Sequence, residues 1–227
     1  AVLYTHAGPE IAVASTKAFL AQITAAYLLG LYLAQLNKKL FSGQIKDILA
    51  DLGAIPGKIE EILAGKDQVK ELARSMADAT SVLFLGRNVG YPVAMEGALK
   101  LKELAYIHAE GFAAGELKHG PIALIDDGQP VFVVMPSPLD RHSLHAKVVS
   151  NIQEVRARGA RTFAVAERGD AAVRGQAEVV FEVPETQPML MPQLTTVPLQ
   201  IFALELATAK GYDVDQPRNL AKSVTVE

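Results

Sequence analysis

Cysteine is absent from the 227 residues. That excludes disulfides, thiolate metal sites and a cysteine nucleophile on this chain, and it fits a reducing, cytoplasmic setting. A surplus of either charge is lacking too: 22 basic against 25 acidic residues leave a formal net charge of −3. With no long basic run, nucleic acid is not the expected partner. Neither GxGxxG nor GxxxxGKS/T occurs, so a nucleotide is not indicated. HExxH and a carboxylate-rich calcium loop are missing as well, so neither a metal nor another cofactor is indicated. The first residues carry no signal-peptide pattern. The run AFLAQITAAYLLGLYLAQL, Ala18 to Leu36, is almost long enough to span a bilayer, but Gln22, Thr24 and Gln35 interrupt it. No flanking charge asymmetry supports insertion. It reads as a helix buried in a core or a subunit interface, with no membrane association.

What is present is an ordinary globular balance, 50% hydrophobic and 21% charged, in a chain long enough to bury a sizeable core. It opens Ala-Val-Leu-Tyr-Thr without methionine, already in an apolar, β-favouring run. This reads as a chain that begins in mid-fold, a fragment of a longer polypeptide. Val2 to Thr5 reads as a short strand and Ser15-Thr16 as the start of the apolar helix that ends near Leu36. Helical stretches follow at about 42–52 and 58–64, separated by Gly53 and Pro56, and another at about 67–77. From Ser81 the pattern changes. Continuous apolar runs of strand length at 81–86, 131–135, 161–166 and 178–183 alternate with helices, the later ones at about 144–158 and 193–210. Such alternation indicates α/β architecture: a doubly wound parallel sheet flanked by helices. Residues 1–65 then read as the closing strand and helices of a preceding unit, 66–211 as the sheet domain and 212–227 as a tail.

The most informative segment is Glu96-Gly-Ala-Leu-Lys-Leu-Lys-Glu103, running on to Gly115-Glu-Leu-Lys-His-Gly-Pro121. Helical spacing puts Glu96, Lys100 and Glu103 within roughly 60° of one another on one face. A lysine between two carboxylates suits acid–base work, because each charge sets its neighbours' proton affinity. The same spacing also occurs on solvated helix faces, where such pairs contribute a few tenths of a kcal/mol. The apolar company of Val93, Ala94, Ala98, Leu99, Leu101, Leu104 and Ala105 favours the rim of a cleft. His119 follows in a glycine-bracketed loop, a common setting for functional groups. Gly86-Arg87-Asn88 follows the first strand of the domain, where open parallel sheets meet ligands. His6, His142 and His145 read as surface or loop residues.

Three segments together, AGPEIAVASTKAF, EGALKLKELAYIHAEGFAAGELKHGP and the tail DVDQPRNLAKSVTVE, resemble the C-terminal portion of the glucosamine-6-phosphate synthase family, the isomerising glutamine:fructose-6-phosphate aminotransferases. The resemblance runs over essentially the whole chain. It implies sugar isomerase (SIS) domains: the end of one, then a complete second one. It also implies an enzyme that turns fructose 6-phosphate and ammonia from a glutaminase domain into glucosamine 6-phosphate. By motif match, Lys222 resembles the lysine that forms a Schiff base with the open-chain ketose. His119 resembles a histidine that assists ring opening in the neighbouring subunit, which implies a homodimer at least. Glu103 resembles the base that moves a proton between C1 and C2, with Lys100 handling protons on the sugar hydroxyls. Glu96 lies in the same motif, and Val13 and Ala221 resemble sugar-lining positions. Two related readings share these motifs: another SIS-domain isomerase or deglycase acting on a different phosphosugar, and a non-catalytic phosphosugar-sensing SIS module.

The family's Ser/Thr-rich phosphate loop has no counterpart in these residues, and no glutaminase cysteine is present. Purified chain 1–227 is therefore expected to make little or no glucosamine 6-phosphate from fructose 6-phosphate and ammonium; synthesis at a normal enzymatic rate would contradict this.

Overall fold

The structure is a computed structural model that describes residues 2–139 and 144–221. Its sheet has five parallel strands: β1 Ser81–Gly86, β2 His108–Ala113, β3 Pro130–Val134, β4 Arg161–Glu167 and β5 Val179–Val183. They lie in the order β2-β1-β3-β4-β5. Six α-helices accompany them: α1 Lys17–Leu36, α2 Ser42–Ala64, α3 Asp67–Ser75, α4 Gly90–Ala105, α5 His145–Arg156 and α6 Met191–Ala209.

Strand side chains alternate between two cores, as the pleat requires. Val82, Phe84, Phe132, Val134, Phe163, Val165, Phe181 and Val183 face the larger core, which α2, α3, α4 and α6 cover. Leu83, Leu85, Val131, Val133, Ala164 and Ala166 face the smaller one, closed by Val148, Ile152 and Val155 of α5. Both faces are covered, so the strands are apolar throughout, and the expected doubly wound sheet is what forms. Phe132 centres the larger core. Its ring lies 4.5 Å from that of Phe202 and 5.2 Å from those of Phe84 and Phe163.

Three elements differ from the sequence reading. A fifth strand, β2 (HAEGFA), was not expected, because only one side of it pairs with a strand and its His108 and Glu110 stay exposed. Its Gly111 is required by packing: a Cβ there would sit 2.8 Å from the Met95 backbone of α4. Secondly, α2 runs unbroken through Gly53 and Pro56. The proline removes the hydrogen bond to the Leu52 carbonyl, a defect of about 3 kcal/mol in a helix interior. The buried stripe Ile48, Ile55 and Ile62 spans it on one face and outweighs it. Thirdly, Val2–Thr5 forms no strand, since no described strand pairs with it, and Val2, Leu3 and Tyr4 are exposed. Helix α1 is by length and composition able to cross a membrane, yet only 6% of that window is buried within the chain. Leu28, Leu29, Tyr32, Leu33 and Leu36 are exposed, so it is not a core helix of these residues.

Phe132→Ala is expected to lower the unfolding free energy by about 3–5 kcal/mol, because the surrounding rings cannot collapse fully into the space. Urea titration checks this, and a loss under about 1 kcal/mol would show that the aromatic cluster is not the centre of the core.

Candidate functional site

Helix α4 links β1 to β2 and packs against the sheet and α6, so Glu96 and Lys100 are drawn inside while Lys102 stays exposed. Lys100 is only 2% exposed, against 9% for Glu96 and 24% for Glu103. The Lys100 ammonium donates a hydrogen bond to the Glu103 carboxylate. Its Nζ lies 3.6 Å from Oε1 of Glu96, an ion-pair distance too long for a hydrogen bond, and that oxygen has no hydrogen-bond partner among the described residues. The spacing expected to gather these three groups therefore does so, and the solvated-face alternative is excluded for Lys100. The Glu96 carboxyl is held above its ordinary pKa. Burial is the main cause; the Lys100 ammonium opposes it and the Glu103 carboxylate adds to it. One cation between two carboxylates, one of them resisting ionisation, is a group poised to hold or pass a proton.

Lys100 opens on a cavity of about 370 Å³. Its walls include Ala14 and Thr16 ahead of α1, Gln200 of α6, and Val214 and Asp215 of the tail. Two chain ends are stitched together here. The Val13 N–H donates to the Asp215 carbonyl at 3.1 Å. Glu10 Oε1 accepts from the Thr16 N–H at 2.7 Å and from its hydroxyl at 3.0 Å. Thus Val13 is held beside the cavity through its backbone without being among its lining residues, and the tail folds back over the triad helix. Ala221 is exposed and ends the described tail; Lys222 lies outside the described residues. Thr16, Gln200 and Asp215 were not anticipated as cavity residues. Asp215 sits in the DVD of a distinctive tail and Gln200 is one of two amides, with Gln193, in an apolar helix, which were the available signals.

His119 is not brought to the triad. It ends a short 3₁₀ turn, Leu117–His119, and is exposed. Leu117 anchors that turn in the smaller core, while α4 packs in the larger one.

The crevice beyond the carboxyl ends of β1 and β3, where the strand order reverses, is nearly closed. Its volume is about 40 Å³, bordered by Arg87, Asn88, Ser137 and Thr195. That is room for a few waters, whereas ligand pockets run to several hundred Å³. Arg87 is turned to α5, its Nε donating to Asn151 Oδ1 at 2.9 Å. Behind Ser137, Glu167 is buried at the end of β4 and its carboxyl is also raised, chiefly by burial. His145, expected on the surface, is mostly buried and pairs with Asp170 at 2.6 Å, tying α5 to the loop after β4. This end of the sheet is filled by its own side chains, and the cavity beside Lys100 is the better candidate.

Comparison with known proteins agrees with the fold. A family model described as the SIS domain matches residues 75–210. Two curated relatives, from Corynebacterium efficiens and Corynebacterium diphtheriae, are 68% and 70% identical to this chain over its whole length. Both are named glutamine–fructose-6-phosphate aminotransferase (isomerizing), and the chain spans 36% of each. Among solved structures, the C-terminal domain of glucosamine-fructose-6-phosphate aminotransferase from Francisella tularensis is similar, with a TM-score of 0.85 and 39% identity. That match covers 93% of this chain and 59% of the other.

The raised Glu96 carboxyl has a signed consequence. Because its pKa is higher folded than unfolded, protonated Glu96 contributes stability below the unfolded value, and this is lost as pH rises through the folded value. Glu96→Gln removes that dependence. The variant is expected to gain stability relative to the parent between about pH 4.5 and pH 8. Urea denaturation at the two ends checks it; a difference that is flat, or that runs the other way, would contradict the burial argument.

Proposed function

The chain belongs to the SIS domain family, and on that premise we propose that it forms the isomerase part of an enzyme making glucosamine 6-phosphate from fructose 6-phosphate and glutamine-derived ammonia. The observation that carries this is the buried Lys100 between Glu96 and Glu103, opening on a cavity that the tail helps to wall. Whole-chain identity to the two aminotransferases supports the substrate assignment.

On this reading the Lys222 amine attacks C2 of the open-chain ketose and expels water to give a Schiff base. Ammonia then displaces the lysine, leaving an imine at C2. Glu103 takes a proton from C1 while the imine nitrogen gains one, forming the enolamine, and returns its proton to C2 while the C1 hydroxyl proton leaves; C1 becomes the aldehyde and C2 carries the amine. Lys100, donating to Glu103, keeps that carboxylate ionised and oriented and handles protons on the sugar hydroxyls. Glu96, resisting ionisation, limits the negative charge in the site. Val13 and Ala221 line the sugar. Residues 1–65 complete a preceding SIS unit, 66–211 form the second and 212–227 supply the tail.

His119 serves the site of a second copy, which makes the active unit a homodimer; its exposure and its distance in the fold from the triad support this, as do the exposed leucines of α1. A glutaminase domain is the ammonia source, and the cytoplasm the location.

In a full-length polypeptide carrying this sequence, Lys222→Arg is expected to reduce glucosamine 6-phosphate synthesis to background while glutamine hydrolysis persists, each measured by product formation. Retained synthesis would sink the Schiff-base assignment.

A further inference from the structure

We infer that Tyr106 is a positioning residue that clamps the tail over the acid–base helix; this rests on the reading of Lys222 as the Schiff-base lysine. Tyr106 is the residue at which α4 stops, and its backbone is left-handed, with φ +54°. Glycine is the residue such helix ends favour, and a bulky side chain there is an outlier that local packing must hold in place. What holds this one is the tail. The Tyr106 hydroxyl accepts a hydrogen bond from the Arg218 N–H at 2.6 Å. The Arg218 guanidinium lies 4.2 Å from the centre of the same ring. The Tyr212 ring lies 4.8 Å away on another side. One aromatic ring thus fastens both ends of 212–218. Between them the segment is braced from within, since Asp213 Oδ1 accepts from the Asp215 and Gln216 N–H groups at 2.9 and 3.0 Å.

The position of the clamp gives it a task beyond holding a chain end. Tyr106 is three residues past Glu103, about 4.5 Å along the helix axis. Lys222 follows Arg218 by only four residues of sequence. Fixing Arg218 to the end of α4 therefore sets where the segment that leads to the lysine departs, beside the helix that carries Lys100 and Glu103. Displacements of about 1 Å between reacting groups can cost two orders of magnitude in rate. The clamp is a means of limiting them that touches neither the substrate nor the reacting atoms.

The test compares Tyr106→Phe, Tyr106→Leu, Tyr106→Gly and Lys222→Arg in the full-length polypeptide. The readouts are synthesis, glutamine hydrolysis, melting temperature and borohydride trapping of fructose 6-phosphate on Lys222. Tyr106→Phe keeps the ring contacts and is expected to retain most of the turnover. Tyr106→Leu and Tyr106→Gly are expected to lose at least about tenfold in kcat, with KM for fructose 6-phosphate little changed and trapping slowed in parallel. Glycine suits the left-handed backbone, so Tyr106→Gly should melt no lower than Tyr106→Leu while being as slow. Parental kcat in both variants would overturn the clamp. So would losses that follow melting temperature and extend to glutamine hydrolysis, since those report a merely structural role. Synthesis retained by Lys222→Arg would instead overturn the underlying reading, whatever the Tyr106 variants do.

Discussion

A buried ammonium needs its counter-charges at hand, and the placement of Lys100 constrains everything around it. Moving such a charge out of water costs several kcal/mol, recovered only with close partners. Glu96 and Glu103 can be those partners because α4 is a regular helix over three turns, and α4 stays regular because it is held on both sides. Gly97 and Gly111 allow close contacts there. A Cβ at Gly97 would fall 2.8 Å from Leu199 of α6, and Gly111 brings β2 against Met95. The helix is thus clasped between sheet and α6 by residues with no side chain to spare. The same clasp that stabilises the domain strips water from the lysine and pushes up the Glu96 carboxyl.

The sheet was largely legible before any coordinates. Each of the four apolar runs became a strand within a residue or so of its expected limits, because a strand covered on both faces has no polar face to confuse the pattern. Edge strand β2 carried no such signal, with two exposed polar residues, a glycine and two alanines in six positions. Pro56 misled for a related reason. Its local penalty is visible in the sequence, whereas the Ile48–Ile55–Ile62 contacts that offset it come from the rest of the fold. Val2–Thr5 had strand composition without a strand to pair with, and composition alone does not make hydrogen bonds.

The site was legible where it is local and opaque where it is not. Helical periodicity alone gathered Glu96, Lys100 and Glu103. Nothing periodic connects Val13 with Asp215, or Tyr106 with Arg218, residues 112 apart in sequence. Closing a loop of that size costs entropy that grows only slowly with length, so such contacts carry no length signature either. Similarity to a family suggested Val13, Ala221 and Lys222 as site residues, but it was silent on Thr16, Gln200 and Tyr106.

The division of labour along the chain follows from these facts. Rigid, desolvated acid–base groups belong on a helix packed on both sides, and α4 provides that. A nucleophilic amine that must form a Schiff base and then leave has the opposite need, a carrier that can approach and withdraw. On the proposed reading that amine belongs to the tail, which Tyr212 and Arg218 fasten to Tyr106. The two proposed roles lie more than a hundred residues apart in sequence, and one tyrosine in a left-handed backbone ties the tail that precedes Lys222 to the end of α4.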